Sequence, residues 1–381
     1  MISVNSVNDA LKSFYLEVLI NQLNTSVSPL YQKFKTTENY ITGKEAIKPV
    51  CYDLSSGLAA MSENADLPAA GSNRYVMLHA DLKNMYGTIE ITDKAMRASE
   101  NSEGAVVNLL DAEMEGLLAS AKQNFSRMLY GDGVGTVAKV SEAASSSTAV
   151  KVDSVKFLRE GMAIYIGTGA NKLSRTIVSI SGNTLTINSA ATASVGTEIV
   201  PAVSFEQEIF GLEYLFGNPA TVYGASTTTY PWLKPYHGTS VGSISDVKIQ
   251  RAIDAAEEAS GGSVDFITCS YGVRRAYQEY LETTKRNINP VELEGGFKAI
   301  SYAGIPVVAD KYCPEGTMYL LDTKLFEMHQ LCDWQWLENG SGNVLKQLAN
   351  KAAYSATLVK YANLICALPC GQAKLSGITE K

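Results

Sequence analysis

Positive charge is in short supply: 32 Lys and Arg stand against 39 Asp and Glu, a formal net charge of -7 over 381 residues. A protein that wraps nucleic acid through bulk positive charge is thereby excluded. No run of eighteen apolar residues occurs, and the opening MISVNSVNDALKSF lacks the charged, apolar and cleavage regions of a secretion signal. The expectation is a cytosolic product with no membrane partner. Histidine is scarcer still, and His79, His237 and His329 are too dispersed to nominate a general base. No GxSxG nucleophile elbow appears. Gly131-Asp132-Gly133-Val134-Gly135 is superficially like a phosphate loop, but it has no lysine and does not join a strand to a helix. Asp81 and Asp111 are most simply solvated. Six cysteines, Cys51, Cys269, Cys313, Cys332, Cys366 and Cys370, are scattered through a chain too large to need disulfides, and reduced, mostly buried thiols are expected. Cys366 and Cys370 are loosely spaced around Pro369 without a paired histidine, which disfavours a metal site. Neither catalysis nor a cofactor is expected.

What is present begins with a long amphipathic helix. Val106, Leu109, Leu110, Met114, Leu117, Leu118, Ala121, Phe125, Met128 and Leu129 recur at three- and four-residue steps, predicting a helix from about Asn101 to Leu129. Asn101 or Ser102 can cap it, Glu100 and Glu103 suit its positive end, and Gly131 is expected to supply a left-handed residue after the last turn. Leu11, Phe14, Tyr15, Val18, Leu19 and Leu23 mark a second, N-terminal amphipathic helix.

Between these helices lie two candidate strands, near Ile47 to Asp53 and Arg74 to Thr92, flanking the tip SSGLAAMSENADLPAAGSN. Nothing in the tip builds a core. An isolated two-stranded ribbon is marginal in water because it buries too little apolar surface to offset its ordering entropy. Its cover must come from elsewhere in the chain or from a neighbour, with Tyr75, Met77, Met85 and Tyr86 as candidate apolar contacts and Met61, Leu67 and Pro68 at the tip.

The strand YGTIEITDKAMRAS, the long helix and the Gly-Asp-Gly after it, together with GIPVVADKYCPEGTMYLLD at Gly304 to Asp322, resemble the major capsid proteins of tailed bacteriophages, whose shell has the Hong Kong 97-type fold. The resemblance implies an α+β chain with an N-terminal arm (1–44), an extended two-stranded loop (45–93), a peripheral domain carrying the spine helix (94–137), returning at 203–242 and again with C-terminal strands at 331–381, and an axial α/β domain (243–330). In that family the arm lies along an adjacent subunit; Leu11, Phe14 and Val18 pack there or in their own domain. Axial tips meet at five- and six-fold positions, giving Lys311, Tyr312, Pro314 and Glu315 as candidate tip residues.

Residues 138–202 lie outside the shared pattern. Short alternating runs separated by Gly, Ser, Asn and Thr predict a small inserted all-β barrel or sandwich, with Ile177 to Ile187 a hairpin turning at Gly182-Asn183. Its expected place is the outer surface, as a stabiliser across subunit boundaries or as a passive insertion. Farther on, Ser245 to Ala259 presents Val247, Ile249, Ile253, Ala256 and Ala259 as an apolar face, and Tyr271 to Thr284 is a second helix after the strand Val264 to Cys269. Arg274, Arg275, Glu279, Glu282, Lys285 and Arg286 form a solvated face or inter-subunit ion pairs, which at exposed sites set register rather than strength. Leu358, Val359, Tyr361, Leu364 and Ile365 are expected core.

The implied protein is a structural one: a subunit assembling as pentamers and hexamers into an icosahedral head around double-stranded DNA, built in the host cytoplasm and resident in the virion. A scaffolding protein, separate because the 44 residues before the loop leave no room for a built-in one, and a portal protein are implied partners, with room for a decoration protein. In the founding family member a loop lysine bonds covalently to a neighbour; the tip between Cys51 and Asn73 has no lysine, so a non-covalent shell is expected. An encapsulin-like compartment shell is the alternative within the fold. A β-rich surface adhesin is a different class, opposed by the missing export signal.

Overall fold

The computed structural model describes residues 28–94 except 56, 63–65 and 67–68, residues 105–338 except 170–171, 285–289 and 293–297, and residues 344–381. The chain divides into two compact units: residues 131–214, and the remainder.

In the larger unit, the strand Ala353–Cys366 organises a peripheral sheet. It pairs antiparallel with Phe326–Trp336 and Lys346–Gln347 along one edge and with Lys83–Thr92 along the other, and Lys35–Thr37 adds parallel to Phe326–Trp336. Val359, Leu364 and Ile365 are buried as expected, while Tyr361 is only half-buried. The spine helix, Ala105–Met128, is 24 residues long, about 36 Å at ~1.5 Å per residue. Its described face fits the predicted spacing, with Phe125 and Leu129 buried. Phe125 meets Tyr31 edge-on at 5.1 Å and Trp334 at 6.1 Å. Across the helix, Leu117 lies so close to Gly87 that a Cβ there would approach its Cδ1 to 2.7 Å. The predicted caps Asn101 and Ser102 lie outside the described residues. Gly131 does not take the expected left-handed conformation; Gly133 (φ +82°) and Gly135 (φ +95°) do.

A seven-stranded mixed sheet forms the axial part. Its order is Tyr236–Gly238, Ala373–Leu375, Met318–Leu321, Phe266–Cys269, Ile305–Ala309, Lys298–Tyr302, Pro290–Glu292. Helices Asp246–Ser260 and Tyr271–Thr284 bury Ile249, Ala252, Ile253, Ala256, Val273 and Tyr277 against the Ile267, Val307, Met318 and Leu320 side. The opposite side is buried too: Tyr319 packs beside Tyr130 at 5.9 Å and Phe216 at 5.5 Å. A sheet covered on both faces explains the uninterrupted apolar run FITC. Two expectations need correction. Val247 is 76% exposed and Ala259 is also exposed, because the helix turns Ile249, Ala252, Ile253 and Ala256 inward. Tyr236–Gly238 and Ala373–Leu375, assigned from sequence to the peripheral domain, hydrogen-bond into the axial sheet.

Among the described residues, the smaller unit forms a six-stranded sheet in the order Ala138–Lys139, Glu198–Pro201, Ala163–Ile166, Leu173–Ser181, Thr184–Ala193, Ala144–Lys151. Its first and last strands are bridged at Val140 and Val152, and the Ser141 and Asp153 amides donate to Lys151 and Lys139 carbonyls. The sheet therefore closes into a barrel around Val150, Ile164, Ile177, Leu185 and Ile199. The predicted hairpin turns at Gly182-Asn183, with Gly182 alone at positive φ (+55°), as a type II′ turn requires.

Candidate assembly interface

The ribbon is built from Glu45–Asp53 and Arg74–Asp81, paired antiparallel. The single strand expected from Arg74 to Thr92 divides at Leu82, so that its first half joins the ribbon and its second half enters the peripheral sheet. Register sorts the ribbon into two faces, because residues opposite one another project to the same side. Ala46/Ala80, Lys48/Leu78 and Val50/Val76 make one face; Ile47/His79, Pro49/Met77 and Cys51/Tyr75 make the other.

The first face is secured by the ribbon's own chain. Ala46, Leu78 and Ala80 are buried. Lys48 on this face forms an ion pair with Glu327; apart from the two faces, the ribbon backbone is held where the His79 amide donates to the Tyr223 carbonyl at 2.9 Å and Asn363 Nδ2 donates to the Asp81 carbonyl at 2.7 Å. Tyr52 stacks on Trp232 at 6.4 Å and meets Tyr230 edge-on at 5.2 Å. Among the described residues the second face has no such cover. Tyr75 is 60% exposed and Met77 51%, with exposed Pro49 and Cys51 beside them. Pro49 is tolerated because the neighbouring strand Ile41–Thr42 pairs only with Glu45 and Ala46 and so needs no N–H from Pro49. An ion pair, Arg74 to Asp53 at 3.7 Å, bounds the apolar strip. Beyond it, Leu54 and Leu58 are exposed. Full burial of a side chain as large as Tyr75 or Met77 stabilises an association by about 1.5–3 kcal/mol.

Of the other candidate contacts, Met61 and Tyr86 are exposed. Met85 is a correction: it is 7% exposed, turned into the sheet with Gly87 and Ile89, whereas Tyr86 points outward and meets Tyr361 edge-on. Leu11, Phe14, Val18, Leu67 and Pro68 lie outside the described residues. The proposed axial tip is corrected as well. Tyr312 is buried, and its amide donates to Asp310 Oδ1. Asp310 Oδ2 accepts from Tyr130 at 3.0 Å and from Ser28. Burial first, and the charge of Lys311 second, hold Lys122 of the spine helix below its ordinary value. This turn is thus a junction with the end of the spine helix, although Lys311, Pro314 and Glu315 are individually exposed.

The remaining polar candidates are engaged separately. His79 faces Glu45, His237 faces Ser376, and His329 faces the Asn39 carbonyl. In the glycine-rich loop, Asp132 Oδ1 accepts from the amides of Val134, Gly135 and Thr136 at 2.9, 3.0 and 3.3 Å. A carboxylate already fills the concavity where a phosphate would sit. None of the six cysteines is in a disulfide; burial pushes the Cys269 thiol up to about 12 and raises that of Cys366 too. Of the charged helix face, Arg275 Nε donates to the Lys381 carbonyl and Glu279 pairs with Lys381 at 3.5 Å; Lys285 and Arg286 lie outside the described residues.

No protein-family model matches the sequence, and no curated protein matches it. Solved structures do. The cyanophage A-1(L) capsid subunit superposes over 95% of this chain and 93% of its own at 10% identity, with a TM-score of 0.58. The chain has the Hong Kong 97-type capsid fold. The SrpI encapsulin of Synechococcus elongatus aligns over 93% and 89% of the two chains at 10% identity with a TM-score of 0.48, and the capsid of the myovirus XM1 over 92% and 92% at 7% identity, also with 0.48. Within this capsid fold, sequence reasoning missed the anchors Tyr223, Trp232 and Glu327, which contact the ribbon from far along the chain and carry no local pattern.

Proposed function

We propose that this protein is a bacteriophage major capsid subunit that assembles with copies of itself, as pentamers and hexamers, into an icosahedral head enclosing double-stranded DNA. The end-to-end likeness to the cyanophage A-1(L) capsid carries this reading. The ribbon supports it: one face is anchored by the subunit's own residues, while the Pro49, Met77 and Tyr75 face is left for a second copy. Assembly in the host cytoplasm on a scaffolding protein, with a portal at one vertex, belongs to the same proposal. The chain acts mechanically, and its contribution is shape and apolar burial. The shell is held without covalent links between subunits, since the tip offers no lysine.

Electron microscopy of the purified chain, expressed alone and with its genomic neighbours, tests this. Uniform hollow particles are expected; a monodisperse monomer in both preparations overturns the proposal. Particles that copurify with an enzyme cargo and form without a portal overturn its viral part.

A further inference from the structure

We propose that Lys48, Glu327 and His329 form an acid-sensitive latch at the root of the ribbon, in which a proton taken up by His329 draws the Glu327 carboxylate away from Lys48 and releases the strand Glu45–Asp53. The latch is a property of the single subunit. Only its use during assembly rests on the function proposed above.

His329 is fully buried on the strand Phe326–Trp336, opposite Asn363 on one side and Thr37 on the other. Its Nδ1 lies 3.1 Å from the backbone carbonyl oxygen of Asn39. A carbonyl oxygen only accepts, so Nδ1 carries the hydrogen and, in the neutral ring, Nε2 presents a bare lone pair. That Nε2 is buried without a hydrogen-bond partner. Glu327 Oε2 sits 3.6 Å from it, so two acceptors confront each other with no proton between them. One added proton converts this orphaned contact into a charge-assisted hydrogen bond.

The same Glu327 oxygen is the one that holds Lys48, whose ammonium also lies 5.7 Å from the centre of the Tyr40 ring. Glu327 from its own strand and Lys48 from the ribbon are the charged groups that act on His329; Asn363 and Thr37, from the strands on either side, are neutral. Protonation therefore places two cations in competition for one carboxylate in a partly buried setting. Lys48 can leave with the ribbon, whereas His329 is fixed in the sheet. Burial, the dominant cause, and the charge of Lys48 hold the imidazole below 6.5, outweighing the Asn39 carbonyl and Glu327. The closed latch is thus fully present above about pH 6.5 and is lost as pH falls through the folded-state value.

The test uses the full-length, unassembled chain, so its outcome is independent of whether the chain forms shells. Amide hydrogen exchange of segments 45–53 and 74–81 is compared at about pH 7.5 and about pH 5 after correction for intrinsic rates. Exchange at the root is expected to rise about tenfold in acid, the factor that loss of one hydrogen bond to a charged group supplies. His329→Gln, which cannot gain charge, is expected to abolish the acid response, and Lys48→Met to give fast exchange at both pH values. A flat response in the parent, or an undiminished one in His329→Gln, overturns the latch. Should His329→Gln fail to fold, imidazole NMR of the parent decides: an Nδ1–H tautomer titrating below 6.5 in step with ribbon exchange supports it, and an Nε2–H tautomer or a midpoint above 6.5 overturns it.

Discussion

Replacing Asp333 by alanine is expected to destabilise the peripheral sheet by about 3 kcal/mol, whereas replacing its partner Lys360 by methionine costs about 1 kcal/mol or less. Lys360 is fully buried in the middle of Ala353–Cys366. Its ammonium donates to Asp333 Oδ1 at 2.6 Å and to Gln330 Oε1 at 2.9 Å, and it lies 5.6 Å from the Phe125 ring centre and 5.8 Å from that of Trp334. Residues three apart on a regular strand face opposite sides. Register shifts between Gln330 and Cys332, and again between Cys332 and Gln335, change that phase and let both side chains converge on one cation. Such bulges are built features, and here they serve the lysine.

Removing Asp333 strands a buried charge on one neutral acceptor and two rings, a loss that typically costs about 3–5 kcal/mol. The Asp333 side chain is 34% exposed, so water partly replaces it and the low end applies. Methionine at position 360 instead removes the cation together with its desolvation penalty, and its flexible thioether fills the space between the rings. What remains is an exposed-edge Asp333 that solvates and a Gln330 oxygen short of one donor, about 1 kcal/mol. The double variant is expected to match Lys360→Met within about 0.5 kcal/mol rather than to sum the two losses. Urea unfolding of the unassembled chain, followed by tryptophan fluorescence, measures all three. Lys360→Met costing as much as Asp333→Ala, or an additive double variant, refutes the reasoning.

Met77→Asp leaves monomer stability within about 0.5 kcal/mol, as exposed substitutions usually do, but abolishes particle formation by putting charge on the apolar strip; a stability change with intact particles would be the wrong pattern. Asp132→Ala frees three backbone amides and lowers the stability of the unit spanning residues 131–214 by about 1–3 kcal/mol, read from thermal unfolding. Asp322 is raised above the ordinary 3.8 by burial first, countered by the Lys324 amide and raised again by Asp265. The fold therefore disfavours its charged form, and stability is lost as pH rises from 3.8 through the folded value. Asp322→Asn, which keeps an acceptor for the Lys324 amide, is expected to gain stability at pH 7 relative to the parent, with the gain vanishing below about pH 3.8; urea midpoints across pH check the sign.

How much was legible follows from where each signal resides. The spine helix and the two helices of the axial part are written in local periodicity, and the type II′ hairpin in a Gly-Asn pair between alternating strands. The barrel is marked by its alternation, but closure depends on Val140 meeting Val152, twelve residues apart and each just past a strand at one end of the sheet order. Met85 was misplaced despite an available signal: adjacent residues on a strand face opposite ways, so Met85 and Tyr86 cannot both reach a neighbour. The axial tip failed for another reason. Lys311 to Glu315 has the composition of a projecting turn, yet Asp310 ties it to Tyr130 and Ser28, 180 and 282 positions away. No local pattern encodes such a bond.

The ribbon shows why half of an interface can be read and half cannot. Tyr75 and Met77 share a face by the two-residue period alone, so their joint exposure was deducible. Which face the subunit keeps for itself was not, because Glu327, Tyr223 and Trp232 converge on the other side from distant parts of the chain. A strand pair covered on both sides would be an ordinary part of the core, and one covered on neither would not persist in water. Anchoring at Ala46, Leu78 and Ala80 fixes the root, and among the described residues Met77 and Tyr75 leave apolar area open. Under the proposed function these open side chains are the ones available to stabilise a shell, and the ion pair at Lys48 ties the opposite face to the subunit's own sheet.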